Sequence, residues 1–163
     1  MARYDLHKDL QEIDAPVILF DNVSKAYPTG THAVNHISLE IRKGEFVFLV
    51  GSSGSGKSTM IKLMLRETKP SRGKVYVAGK DLGRLRRSQV SRFRRSIGVV
   101  FQDFRLLKDR TVYENVAFAQ QVVETPSWVI RREVPKMLAL VGLSDKHDAY
   151  PNELSGGEQQ RVA

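Results

Sequence analysis

FVFLVGSSGSGKST, residues 46–59, decides how the rest of the chain is read. Residues 46–50 are apolar without a break, as expected of a strand buried on both faces. The nine that follow, Gly51, Ser52, Ser53, Gly54, Ser55, Gly56, Lys57, Ser58 and Thr59, fit G-x-x-x-x-G-K-[ST]. A strand before this pattern and a helix after it are the context in which it cradles phosphate. Glycines permit backbone angles that turn successive N–H groups toward an anion, with no Cβ in the way. A helix opening near Lys57 points its partial positive end at the same place. Lys57 adds a full charge near the β- and γ-phosphates of ATP, and the Ser58 hydroxyl is placed to hold Mg²⁺.

Outward from that loop the pattern is of alternating strands and helices. Residues 17–20 begin a β-rich run that reaches a turn at Tyr27, Pro28, Thr29 and Gly30. Ile37, Leu39 and Ile41 recur at the period of a half-buried strand, and Lys43 with Gly44 turns the chain. Met60, Ile61, Leu63, Met64 and Leu65 cover most of a helix circumference, which predicts a buried helix stopped by Lys69 and Pro70. Residues 74–78 read as a strand closed by a turn at Gly79, and 97–101 as a short buried strand. Thr111 and Glu114 form a capping box for a helix over 112–123. A further helix is expected over 128–141, with Ser127 as N-cap, a kink or split at Pro135 and Gly142 just past its end.

Composition narrows the class. With 163 residues, 41% of them hydrophobic, the chain has enough apolar side chains for a core. No cysteine is present, which excludes disulfides and thiolate metal sites. No apolar run approaches the roughly 20 residues that span a bilayer, and 1–14 has no signal-peptide core. The net charge is +8, and ten basic against three acidic residues between Lys80 and Arg110 carry most of it. That segment suits a solvated face or one beside anionic headgroups. A nucleic-acid groove would want interleaved aromatics, and only Phe93, Phe101 and Phe104 are at hand.

Three further features lie at informative places: Tyr27 ahead of the loop, Gln102 after the 97–101 run, and LSGGEQQRVA at 154–163. With them the chain resembles the nucleotide-binding domain of an ABC ATPase, from about residue 17 to Ala163. The resemblance implies an α/β P-loop NTPase fold of the ABC type: a RecA-like core with an antiparallel β subdomain and a helical subdomain. By it Tyr27 would stack on adenine, where otherwise it is a turn tyrosine. Gln102 would touch Mg²⁺ and the attacking water, and would link to a membrane partner. Ser155, Gly156 and Gly157 would face the γ-phosphate of ATP bound by the opposite subunit of a homodimer, while Ser155 with Glu158 also fits a capping box. Catalytic roles are thus implied for Lys57 and Gln102, and metal contacts for Ser58 and Gln102.

Residues 1–15 are read as an N-terminal extension and 16–163 as the ATP-binding domain, with the C-terminal part of the core missing. The Walker B strand, catalytic Glu, D-loop and switch His of the family would follow Ala163, so weak or absent ATP hydrolysis is expected of this chain by itself. GEFVFLVG at 44–51, VFQDFRLL at 100–107 and TVYENVA at 111–117 are similar to the FtsE family of cell-division ATPases. That resemblance implies an FtsX-like integral membrane partner, a peripheral place on the cytoplasmic face of the membrane, and control of peptidoglycan hydrolysis. Phe104, Leu106 and Leu107 would meet the partner, or else pack the helical subdomain. Two alternatives stay open: the ATPase of a lipoprotein-release, macrolide-export or amino-acid-uptake system, and a soluble ABC ATPase acting on nucleic acid.

Overall fold

The computed structural model describes residues 15–163, so the expected extension falls almost wholly outside them. The chain divides into two compact units, one ending at Arg94 and one running from Arg95 to Ala163.

The first unit is built on β1 (Ile18–Ala26), β2 (His32–Ile41), β3 (Arg72–Val77) and β4 (Lys80–Asp81), in the order β2-β1-β3-β4 and antiparallel throughout. β1 and β2 are joined by the turn at Tyr27, whose carbonyl accepts from Gly30 N–H at 2.9 Å. Ala78 and Gly79 both have positive φ, 47° and 71°, so β3 and β4 form a hairpin on a tight two-residue turn. A bulge interrupts β1 and β2 where Asn22 and His36 are left-handed, with φ of 47° and 49°. Side chains stitch it: Asn22 Oδ1 lies 2.8 Å from His36 Nδ1, and Asn22 N–H and His36 N–H donate to the hydroxyls of Ser38 and Ser24.

Helix α1 (Lys57–Met64) packs on this sheet. Thr59, Met60 and Leu63 are its buried residues, with Phe20, Val23, Val34, Val75, Val77 and Leu82 among the core of the unit. Each large side chain removed from water in this way contributes about 1.5–3 kcal/mol. The helix is one-sided, not buried all round, since Ile61 is 40% exposed. It also stops before Lys69. Arg66 turns left-handed (φ 56°), and the Arg94 guanidinium donates to the carbonyls of Leu65 and Arg66, so the last turn is capped there. Arg94 closes helix α2 (Arg87–Arg94), whose one buried residue is Phe93.

The apolar run 46–50 is not a strand in this structure, and neither is 97–101. Phe46, Phe48 and Val50 are 84%, 77% and 82% exposed, and Val100 is 68% exposed. A strand exists through its ladder, and the described residues offer neither segment a strand to pair with. Phe46 and Phe48 pack edge-to-face on each other, centroids 4.9 Å apart.

The second unit is helical: α3 (Val112–Val122), α4 (Ser127–Leu140), 3₁₀ turns at Ser144–Lys146 and Pro151–Glu153, and α5 (Gly156–Val162). Val112, Ala117, Ile130, Val134, Leu138, Leu143 and Leu154 form one core. α3 opens with the expected capping box, Thr111 Oγ1 accepting from Glu114 N–H while Glu114 accepts from Thr111 N–H. The N-cap of α4 is Pro126, not Ser127, which is already helical and makes no capping bond. Pro135 is accommodated within a helix that runs on to Leu140. Gly142 (φ 69°) then ends it in a Schellman motif, with Leu143 N–H on Leu138 O and Gly142 N–H on Ala139 O.

Candidate functional site

In the first unit the nine residues of the phosphate pattern form a loop that ends in α1. Gly54 and Gly56 take φ of 80° and 93°, as a loop curling its amides inward requires. Gly56 is also the N-cap of α1, and no side chain caps that end. The first helical N–H groups are therefore left for a ligand or solvent. A side chain at Gly56 would overlap the Ala33 carbonyl of β2, so the loop is seated directly against the sheet.

Lys57 folds back over this loop. Its ammonium donates to Gly51 O at 2.8 Å, to Ser52 O at 2.7 Å and to Ser55 Oγ at 3.3 Å. Three oxygen acceptors around one Nζ are what a phosphate would replace. Ser52, Ser53, Ser55 and Ser58 are exposed, whereas Thr59 is buried at 8%. The Thr59 hydroxyl meets the Tyr27 hydroxyl at 3.3 Å, which brings Tyr27 to the first turn of α1. Lys25, which motif reading passes over, has its Nζ 5.2 Å from the centre of the Tyr27 ring. The spacing held a hint of this, because residues two apart in extended chain share a face.

The remaining pattern residues fall in the second unit. Gln102 is exposed in a turn closed by Phe104 N–H on Phe101 O, and Arg105 lies over the Phe101 ring at 3.7 Å. Phe104 and Arg105 are both left-handed (φ 55° and 51°). Phe104, Leu106 and Leu107 are half-buried, neither core nor free surface. Asn115, which the sequence did not single out, fixes the segment that follows: its side chain accepts from Leu107 N–H and donates to the carbonyls of Leu107, Arg110 and Thr111.

Ser155 is the N-cap of α5, with Gly156 and Gly157 exposed behind it. Its hydroxyl donates to Glu158 at 2.7 Å and accepts from Glu158 N–H at 3.3 Å, while Ser155 N–H also donates to the Glu158 carboxylate at 2.7 Å. The two bonds to the carboxylate, the one from the hydroxyl first, hold the Glu158 carboxyl below its ordinary range. The Ser155 proton is thus engaged within the chain, and a ligand at this hydroxyl has to compete with Glu158.

The model of the ABC transporter family matches residues 34–163. The chain belongs to the ABC transporter family. It is 50% identical over 147 residues to the cell division ATP-binding protein FtsE of Bacillus subtilis, covering 90% of this chain. It is also 43% identical over 150 residues to the methionine import ATP-binding protein MetN of Escherichia coli O157:H7, covering 44% of that protein. Among solved structures it is similar to a dimeric post-hydrolysis state of the ATP-binding cassette MJ0796 bound to ADP and Pi. There the TM-score is 0.80 at 34% identity, with 89% of this chain and 66% of that one covered. The chain spans 64% of the length of the B. subtilis FtsE. The ABC fold accounts for the antiparallel sheet and the helices described above, with the phosphate loop in one unit and LSGGE in the other.

Proposed function

We propose that this chain is the ATP-binding part of an FtsE-like subunit of an ABC membrane complex. The observation that carries it is the phosphate loop: two left-handed glycines, an uncapped helix start and the Lys57 ammonium converge on one place. Such a cradle, open to solvent and with glycine at the positions of left-handed backbone, fits a triphosphate. Lys57 would exchange the Gly51 and Ser52 carbonyls for phosphate oxygens. Residues 51–59 would bind the phosphates, Ser58 would offer its hydroxyl to Mg²⁺, the Tyr27 ring would lie on the base, and Gln102 would take the metal-contacting and catalytic role that the family resemblance gives it. Ser155, Gly156 and Gly157 would act on nucleotide held by a second copy of the domain. Bound Mg²⁺ supplies charge neutralisation between phosphates. The domain would comprise residues 16–163.

Identity of 50% to FtsE supports a place beside an FtsX-like membrane protein at the cytoplasmic face, with ATP binding and hydrolysis coupled to cell division. Among the described residues no helix is long and apolar enough to cross a membrane, so contact with the bilayer through a partner fits. The MetN similarity favours a second reading, the ATPase of an importer. The membrane protein that co-purifies with the subunit separates the two.

The test of nucleotide binding is titration of a fluorescent ATP analogue with Mg²⁺ into the chain and its Lys57→Ala variant. Loss of one charge-assisted contact to phosphate, about 1.5–3 kcal/mol, should weaken binding at least about tenfold. Equal affinity of the two proteins would sink the proposal.

A further inference from the structure

A strongly basic cleft lies in the first unit and shares no residue with the phosphate loop. Between the end of α1 and helix α2 opens a cleft of about 690 Å³, within the size range of small-ligand sites. Five cations line it: Arg66, Lys69, Arg86, Arg87 and Arg94. Among the described residues Glu67 is the one carboxylate in the lining, which leaves an excess of four positive charges around one concavity. Ordinary solvated surfaces intersperse the two signs, and a concentration of one sign in a concave wall focuses potential on whatever enters.

The side chains are also held for the task. Arg66 Nε donates to Leu82 O at 2.5 Å and Arg94 Nε to Leu65 O at 2.9 Å, so both guanidinium groups are anchored through that nitrogen with further N–H groups to spare. Among the described residues Lys69, Arg86 and Arg87 form no ion pair with a carboxylate. Arginine forks match tetrahedral oxyanions in a way that point charges do not. Leu85 and Val90 put apolar surface beside them, and no aromatic ring lines the cleft for base stacking.

We propose that this cleft binds a phosphate ester of headgroup size, carrying its charge on the phosphate and a short aliphatic part against Leu85 and Val90. The same chemistry is offered by the headgroup of an anionic phospholipid and by a soluble phosphate ester.

The experiment compares the full chain, an Arg86→Ala/Arg87→Ala variant and an Arg131→Ala/Arg132→Ala control that loses the same charge from the second unit. Each is sedimented with phosphatidylcholine vesicles, with and without phosphatidylglycerol, and titrated calorimetrically with glycerol 1-phosphate at one ionic strength. Binding to phosphatidylglycerol vesicles, to glycerol phosphate or to both is expected, weakened about tenfold or more in the cleft variant and much less in the control. Vesicle binding alone assigns a lipid, and glycerol phosphate alone a soluble ester. ATP affinity should be the same in all three proteins, which shows that the cleft variant is folded and that the two sites are separate. Binding to neither ligand, or equal loss in both variants, overturns the proposal.

Discussion

Gly56 shows how much of the phosphate loop is decided by a missing atom. Its φ of 93° is left-handed, and a methyl group there would run into the Ala33 carbonyl. Left-handed backbone costs a residue with a Cβ about 1–2 kcal/mol before any overlap is relieved. Gly56→Ala should therefore destabilise the first unit by about 2–4 kcal/mol, visible as a lower urea midpoint. Lys57→Ala, by contrast, removes bonds to exposed backbone carbonyls and should cost no more than about 1 kcal/mol, with a correspondingly small shift of that midpoint. An unchanged midpoint for Gly56→Ala would mean that the loop does not rest on β2 as described. Adjacent residues thus divide the labour, one shaping the cradle and the other charging it.

At the scale of elements the capping boxes are the clearest devices, and they titrate. Glu114 takes Thr111 N–H and Glu158 takes the hydroxyl and N–H of Ser155, and both carboxyls are held below the ordinary value of 4.5. A carboxyl whose folded value is depressed contributes stability above its unfolded value and loses it as pH falls through the folded one. The first turns of α3 and α5 should then be intact at neutral pH and fray progressively below about pH 4.5. Amide exchange at residues 111–114 and 155–158 measures this. Glu158→Gln should remove the acid dependence at α5 and leave that at α3, and a pH dependence that survives at α5 would contradict the assignment. These caps were legible in the sequence because a box is local: four residues contain both partners. The Schellman end at Gly142 was legible for the same reason. What escaped was settled by partners outside so short a window. The early stop of α1 depends on Arg94, and the clamp on residues 107–111 depends on where α3 places Asn115. Pro126 in place of Ser127 as N-cap is a shift of one residue, within the usual fraying of helix ends.

For the whole molecule the decisive feature is the run 46–50, apolar on both faces and paired with no strand among the described residues. Its pattern is that of a strand covered on two sides, which states what the side chains require more than what the backbone does. Phe46 and Phe48, 84% and 77% exposed, meet only each other as rings among the described residues. A contiguous apolar patch of this kind, with unpaired backbone along it, seeks another edge. The chain of 163 residues alone should therefore bind a hydrophobic dye such as ANS and associate as its concentration rises through the micromolar range. Phe46→Ser/Phe48→Ser should suppress both effects while leaving the urea midpoint of the second unit, whose core lies in α3 and α4, where it was. Sedimentation showing a dye-free monomer at high concentration would mean that the run is covered in solution. Five consecutive apolar residues leading into a phosphate loop call for cover whichever segment provides it.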